Sequence, residues 1–185
     1  MPNKVLFGFS DLYVGTYTVA QDNTVTLGTP YHQAGAVGFS PEASTDKTTF
    51  RADNIDYYTS YGNGSYEGDL EVAMFDDAFK TQFLGYVELD DDGLANIKNA
   101  NKPAVYLMFE IQGDTAARRV IFYNGSLGDI SRAYSTTEET VEPVTETIPV
   151  TFTGDNATGI TFVTYEVGDQ GYDTLFTNPP VPTLP

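Results

Sequence analysis

Residues 51–85 read RADNIDYYTSYGNGSYEGDLEVAMFDDAFKTQFLG, and three signals follow one another in them. From Tyr66 to Met74 the acids Glu67, Asp69 and Glu71 alternate with Gly68, Leu70, Val72 and Met74. A period of two puts the first set on one side of a β-strand and the second on the other, so one side is core and the other acidic and wet. A solvated sheet usually mixes signs, because like charges two residues apart repel. Acids in a row with no base mark either a face with a purpose or the plain exposed strand of an acidic protein. Next, Phe75, Phe79 and Phe83 recur every four residues, which predicts a helix over 76–84 with one aromatic side. Asp76 and Asp77 suit its positive N-terminal end, and Gly85 stops it. Upstream, DYYTSYGNGSY (56–66) sets Tyr57, Tyr58, Tyr61 and Tyr66 among Ser, Thr, Gly and Asn. Tyrosine gives contact area at low entropic cost, so the 44–66 segment reads as a loop that meets a partner and orders on assembly. A hairpin whose tyrosines lie flat on their own sheet is the other reading.

Outward from this stretch, the apolar segments are short, rich in Val, Ile, Thr, Tyr and Phe, and bounded by Gly, Asn or Asp. Strands are predicted near 4–9, 12–20, 24–28, 34–42, 65–74, 85–90, 94–98, 103–112, 118–125, 144–153 and 160–167, joined as a meander of hairpins. Gln21-Asp22-Asn23, Asn63-Gly64, Asp92-Gly93, Gly113-Asp114, Asn124-Gly125 and Gly154-Asp155-Asn156 favour the positive φ values that hairpin turns use. The end, TNPPVPTLP (177–185), has four prolines and no charge. It reads as an extended polyproline arm or as a frayed terminus, and residues 1–176 as one β domain.

A chain of 185 residues can bury a substantial core without staples, and it has no cysteine, which excludes disulfides, thiolate ligands and thiol nucleophiles. The net charge of −17 argues against nucleic acid as a tightly held partner, since phosphate binding draws on Lys and Arg. An anionic membrane surface is disfavoured for the same reason. No Lys or Arg follows Arg132, whereas eight acids do, so the C-terminal part is the more one-sided. No apolar run approaches the length that spans a membrane, and the N-terminus lacks the continuous apolar segment of a signal peptide. The sequons at Asn63, Asn124 and Asn156 read as polar turns.

Catalytic and metal signals are weak. Glu88 to Asn99, ELDDDGLANIKN, imitates a calcium loop through Asp90, Asp92 and Gly93, but it begins with Glu88, ends on Asn99 and lies between strands. An Asp-rich hairpin turn fits it better. His32 is the single histidine and has no Ser or Cys motif beside it, so neither a triad nor a histidine metal site has support. Carboxylate pairs abound, but tryptophan, the usual sugar platform, is missing. Arg118 and Arg119 point to opposite faces of a strand and read as partners for carboxylates. No catalytic residue, metal or cofactor is predicted.

The order of these parts resembles the major tail tube proteins of long-tailed (siphovirus-type) bacteriophages, the type found in phages of Gram-positive bacteria. The resemblance is carried by YEGDLEVAMF, DDAFKTQFLG, the paired strands of KPAVYLMFEIQGDTAARRVIFYN (102–124) and the Glu-Pro-containing TEETVEPVTET, and it runs from about Asn3 to Glu166. It implies a mainly β protein: a two-sheet antiparallel β-sandwich with one flanking α-helix. It also implies no enzymatic activity, and a virion component assembled in the host cytoplasm into stacked hexameric rings through which genome DNA passes without being held. Its partners would be further copies of itself and the tail completion, tape-measure and distal tail proteins. On this resemblance Glu67, Asp69 and Glu71 line the lumen, while Tyr57, Tyr58, Tyr61 and Tyr66 lie at subunit or ring contacts. The immunoglobulin-like domain that some relatives append is not expected after TNPPVPTLP. Two other functions fit a β-sandwich of this composition. One is a monomeric carbohydrate-binding module of a receptor-binding or adhesion protein, and the other a glycosidase using paired carboxylates.

Overall fold

The computed structural model describes residues 8–44, 47–52, 55–61, 64–113, 116–134 and 144–184, and gives backbone alone for 47–52 and 55–61. The strand expected at 4–9 falls mostly outside these residues. In chain order the elements are β1 (Ser10–Val19), β2 (Val25–Leu27), β3 (Tyr31–His32), β4 (Ala36–Ala43), β5 (Lys47–Ala52), β6 (Ile55–Tyr61), β7 (Tyr66–Val72), α1 (Asp77–Phe83), β8 (Val87–Glu88), β9 (Leu94–Ala95), β10 (Val105–Glu110), β11 (Arg119–Leu127), β12 (Ser131–Arg132), β13 (Glu146–Phe152) and β14 (Phe162–Tyr165). The protein is a mainly antiparallel β-sandwich with one flanking helix.

Alternation decides which side of each strand is covered. In β13, Glu146, Ile148, Val150 and Phe152 are buried while Thr147, Pro149 and Thr151 face outward. In β7, Leu70 and Val72 are buried while Glu67 and Asp69 are exposed. One layer runs β4, β7, β13, β12, and the other sets β2 and β3 on β1, followed by β10, β11 and β14. The core between them takes Leu70, Val72, Ile148 and Val150 from the first layer and Leu12, Val14, Leu107 and Phe122 from the second. This order corrects the expected meander: β1 pairs with β10 and β7 with β13, each a partner distant in sequence. A single hairpin buries one face only, and the two-layer core forms by bringing distant hairpins face to face.

β11 joins the layers. Its first part pairs with β10 and β14, and Gly125 to Leu127 pair with β13. Asn124-Gly125, expected as a hairpin turn, is therefore a corner inside one strand, with Asn124 at φ 54° and the β10 register shifting there. A Cβ on Gly125 would sit 2.4 Å from the Phe152 ring, so only glycine lets the corner close on the core.

α1 follows the first layer and plugs one end of the core. Phe75, Phe79 and Phe83 are fully buried, with Phe79 4.8 Å from the Phe75 ring and 5.0 Å from the Phe83 ring. The Leu84 N–H donates to the Lys80 carbonyl, and Gly85 at φ 69° ends the helix as its position predicts. Beyond it, the Asp-rich 89–93 segment is the turn of the β8/β9 hairpin, with Asp92 at φ 62°.

The expected loop over 44–66 is instead a second-storey hairpin. β5 and β6 pair along Lys47↔Tyr61 to Ala52↔Ile55, and the Ser44 N–H donates to the Ser65 carbonyl at 2.7 Å, prolonging the β4/β7 ladder. Thr48, Thr49, Phe50, Ile55, Tyr57 and Tyr58 are the β-branched and aromatic types that pleated backbone accommodates, and they outweigh the Gly and Asn nearby.

The outer side of the second layer carries its own core of Tyr17, Tyr106, Met108, Ile121 and Tyr123, with Leu175 of the C-terminal segment buried among them. Arg119 fastens that segment. Its guanidinium lies 4.2 Å from the Tyr172 ring and 4.6 Å from the Phe176 ring, bonds Glu110 at 3.0 Å, and donates to the Tyr172 carbonyl. The Tyr123 hydroxyl donates to the Pro180 carbonyl at 2.9 Å, so the proline-rich end lies along the sheet there.

Candidate functional site

The outward side of the first layer is built by strand register. Glu67 sits between Glu42 and Thr151, Asp69 between Ser40 and Pro149, and Glu71 between Gly38 and Thr147, beyond which lies Ser131. This face gathers Glu42, Glu67, Asp69 and Glu71, and its register positions hold no Lys or Arg among the described residues. Its other members are hydroxyls, glycine and proline, so it is polar and carries no large apolar side chain. The register brings together all of Glu67, Asp69 and Glu71, as strand alternation predicted.

Several details shape this face. Ser65 donates to Glu67 at 3.3 Å, and the Thr145 hydroxyl donates to Glu71. Pro149 offers no amide, and it lies where β13 passes the 128–130 connection between β11 and β12; its carbonyl accepts from the Gly128 N–H at 2.8 Å. A Cβ on Gly68 would fall 2.3 Å from the Ser40 carbonyl oxygen, so the glycine lets β4 lie close against β7. Glu42 directly opposite Glu67 is a like-charge pair that weakens the sheet. A local conflict of this kind on an otherwise consistent sheet is characteristic of functional surfaces. Sequence reasoning missed Glu42, although the strand expected at 34–42 already placed Ser40 and Glu42 on one side.

Five of the nine bases are committed elsewhere. Lys80 pairs with Asp77, Lys102 with Asp129, Arg118 with Glu166 and Arg119 with Glu110 at 2.7–3.0 Å, and Arg132 pairs with Glu146. Arg118 and Arg119 thus serve carboxylates, as their alternation implied. The acidic C-terminal part is less repulsive than its composition suggests. Glu146 is buried, bound by Arg132 and by the Phe75 N–H at 2.7 Å, and Asp155 is buried as well.

Asp155 ties the turn at 154–159 to β1. Its Oδ1 accepts from the Tyr17 hydroxyl at 2.7 Å, and its Oδ2 accepts from the Thr158 hydroxyl and the Ala157 and Thr158 N–H groups. Burial alone would raise its pKa, but the bonds from Thr158, Tyr17 and Ala157 outweigh that and hold the carboxyl below its ordinary value. Burial likewise pushes the Tyr17 hydroxyl up to about 12. A depressed carboxyl contributes stability above its unfolded pKa and loses it as pH falls through the folded one. Asp155→Asn is expected to cost about 1–3 kcal/mol at neutral pH, and the gap to the unchanged protein should shrink below about pH 4. Thermal unfolding across pH checks this, and a gap that stays constant into acid would refute the role of the ionised form.

The tyrosines divide. Tyr66 is half-buried, its ring edge-on to Phe162 at 5.5 Å and Phe122 at 6.0 Å, at the edge of the core. Tyr57, Tyr58 and Tyr61 lie on β6, and their side chains fall outside the described part. Among the described residues no group of His, Cys, Asp and Glu has the arrangement of a metal site.

No protein-family model matches the chain, and no curated protein resembles it in sequence. Its likeness to solved structures is one of fold. The anti-feeding prophage cap, a tube-terminating cap, aligns with TM-score 0.50 at 10% identity over 89% of this chain and 95% of that one. The sheath–tube complex of an extracellular contractile injection system, PVC, in its extended state aligns with TM-score 0.46 at 10% identity, over 85% and 89%. What the chain shares with the cap is its fold.

Proposed function

We propose that the chain is the structural subunit of a tail tube of the long-tailed phage type, closing into hexameric rings that stack into a conduit for genome DNA. The observation that carries this is the outward face of β4, β7, β13 and β12, where Glu42, Glu67, Asp69 and Glu71 share one side of paired strands with no base at its register positions among the described residues. Set around a lumen, such a face repels phosphate, so the polymer slides instead of sticking. A tube needs head-to-tail contacts that close within a ring and stay open along the axis. β4 and β12 end this layer on its two sides, and strands of neighbouring copies would continue the sheet into one barrel. Residues 1–176 form the tube domain and 177–185 an arm laid along it. The role is structural, not enzymatic, and it is exercised in the virion after assembly in the host cytoplasm, with tail completion, tape-measure and distal tail proteins as partners.

Negative-stain microscopy of the concentrated purified protein tests this. Rings that stack into hollow filaments support it. Single rings that never stack would instead make the protein a tube terminator, and a monomer that binds glycans would make it a carbohydrate-binding sandwich. Replacing residues 45–64 by Asn-Gly, a turn that closes Ser44 on Ser65, should leave the melting temperature near that of the unchanged protein and abolish tubes. Normal tubes from this variant would show that the hairpin and its tyrosines make no essential contact.

A further inference from the structure

The junction between β7 and α1 is held from several sides. Apart from tyrosines, Gln33, Glu146 and Asp155 are the buried polar or charged side chains among the described residues. Gln33 and Glu146 grip one and the same peptide unit: the Met74 carbonyl accepts from Gln33 Nε2 at 3.2 Å, and the Phe75 N–H donates to Glu146 Oε2 at 2.7 Å. In a trans peptide these two groups point opposite ways, so the unit is clamped from both sides. Gln33 follows β3 of the second layer, and Glu146 opens β13 of the first. A buried carboxylate is costly unless paired, and Arg132, its cross-strand neighbour, supplies the opposite charge. On either side of the clamp, the Ala73 N–H donates to the Gly35 carbonyl at 2.8 Å and the Tyr31 hydroxyl donates to Asp76 at 3.1 Å.

What the clamp holds has little stability of its own. Residues 73–100 place no strand in the ten-stranded sheet: they contain α1 and the β8/β9 hairpin, whose strands pair only with each other. A seven-residue helix and a ribbon of two-residue strands are marginal by themselves. The Asp76 side chain, at the N-cap of α1, makes no capping bond to the helix. The unit is seated by the buried row of Phe75, Phe79 and Phe83 and tied by the clamp before it. A segment attached in this way opens more readily than a sheet paired on both sides.

We propose that α1 and the β8/β9 hairpin form a lid that opens from the sandwich as one unit, with the double grip on the Met74-Phe75 peptide as its latch. Opening leaves the ten-stranded sheet intact and uncovers Phe79, Phe83 and the end of the core on which they sit. The latch sets how often this aromatic surface is offered, so it is a conformational device distinct from the acidic face.

Amide hydrogen exchange of the folded protein, followed by mass spectrometry, tests this. Peptides covering 80–89, whose bonded amides include Lys80, Leu84, Tyr86 and Leu89, should exchange at least about tenfold faster than peptides covering β10 and β11. Ile121→Val makes a small cavity in the sheet that stays folded when the lid opens, so it should speed β10 and β11 several-fold and leave 80–89 unchanged. Glu146→Leu deprives the Phe75 N–H of its acceptor and should speed 80–89 at least about tenfold. Gln33→Met releases the same peptide from the other side and gives the reading if Glu146→Leu fails to fold. Exchange over 80–89 at the β10 and β11 rate, or a response there equal to theirs in Ile121→Val, overturns the separate opening. Exchange over 80–89 that is indifferent to the loss of either gripping side chain overturns the latch.

Discussion

Phe79→Ala should lower stability by about 3–5 kcal/mol, a large part of the 5–15 kcal/mol that holds a typical domain together. Phe79 has no solvent exposure, lies between the Phe75 and Phe83 rings, and also faces Tyr31 at 6.2 Å. Removing it leaves a cavity under a seven-residue helix whose attachment is this aromatic row, and a helix so short has little stability of its own. At about 2–4 °C per kcal/mol for a domain of this size, the melting temperature should fall well outside experimental scatter. An unchanged melting temperature would mean that the aromatic row does not anchor the helix to the core.

The second large effect concerns DNA passage. If the proposed lumen reading holds, changing Glu67, Asp69 and Glu71 together to Lys moves the charge by about six units per subunit and turns a wall that repels phosphate into one that gains affinity by releasing counterions. The packing side of β7, with Leu70 and Val72 fully buried, is untouched, so tubes should still assemble. Particles built from this variant are expected to eject DNA slowly or incompletely at low salt, with the defect easing as salt screens the contacts. Normal ejection at low salt from intact triple-Lys particles would return the strand to a plain exposed acidic face.

How far these features were legible depends on whether their cause is local. The alternation of β7 and the four-residue recurrence of phenylalanine are local, and they gave the acidic face, α1 and the stop at Gly85 directly. The β5/β6 hairpin stands only as the second reading of its segment, because its Gly, Asn and Ser neighbours resemble loop composition, while the cross-strand pairing that holds it in register is not displayed by a single segment. Asn124-Gly125 carries ordinary turn chemistry, and only the approach of Phe152 from another strand shows that the chain passes straight through it. Glu146 and Asp155 look like surface acids in an acidic tail; their partners, Arg132 and Tyr17, lie 14 and 138 residues away. The outer core under the C-terminal segment was invisible for the same reason, since Arg119 meets Tyr172 and Phe176 only after the sheet has formed.

Helical reconstruction by electron cryomicroscopy of tubes grown from the purified protein tests the central claim most directly. The predicted map shows stacked hexameric rings with β4, β7, β13 and β12 around the channel and Glu42, Glu67, Asp69 and Glu71 pointing into it. Tubes in which these four acids face outward or lie buried between subunits would contradict it, as would a protein that stays monomeric at every concentration tried.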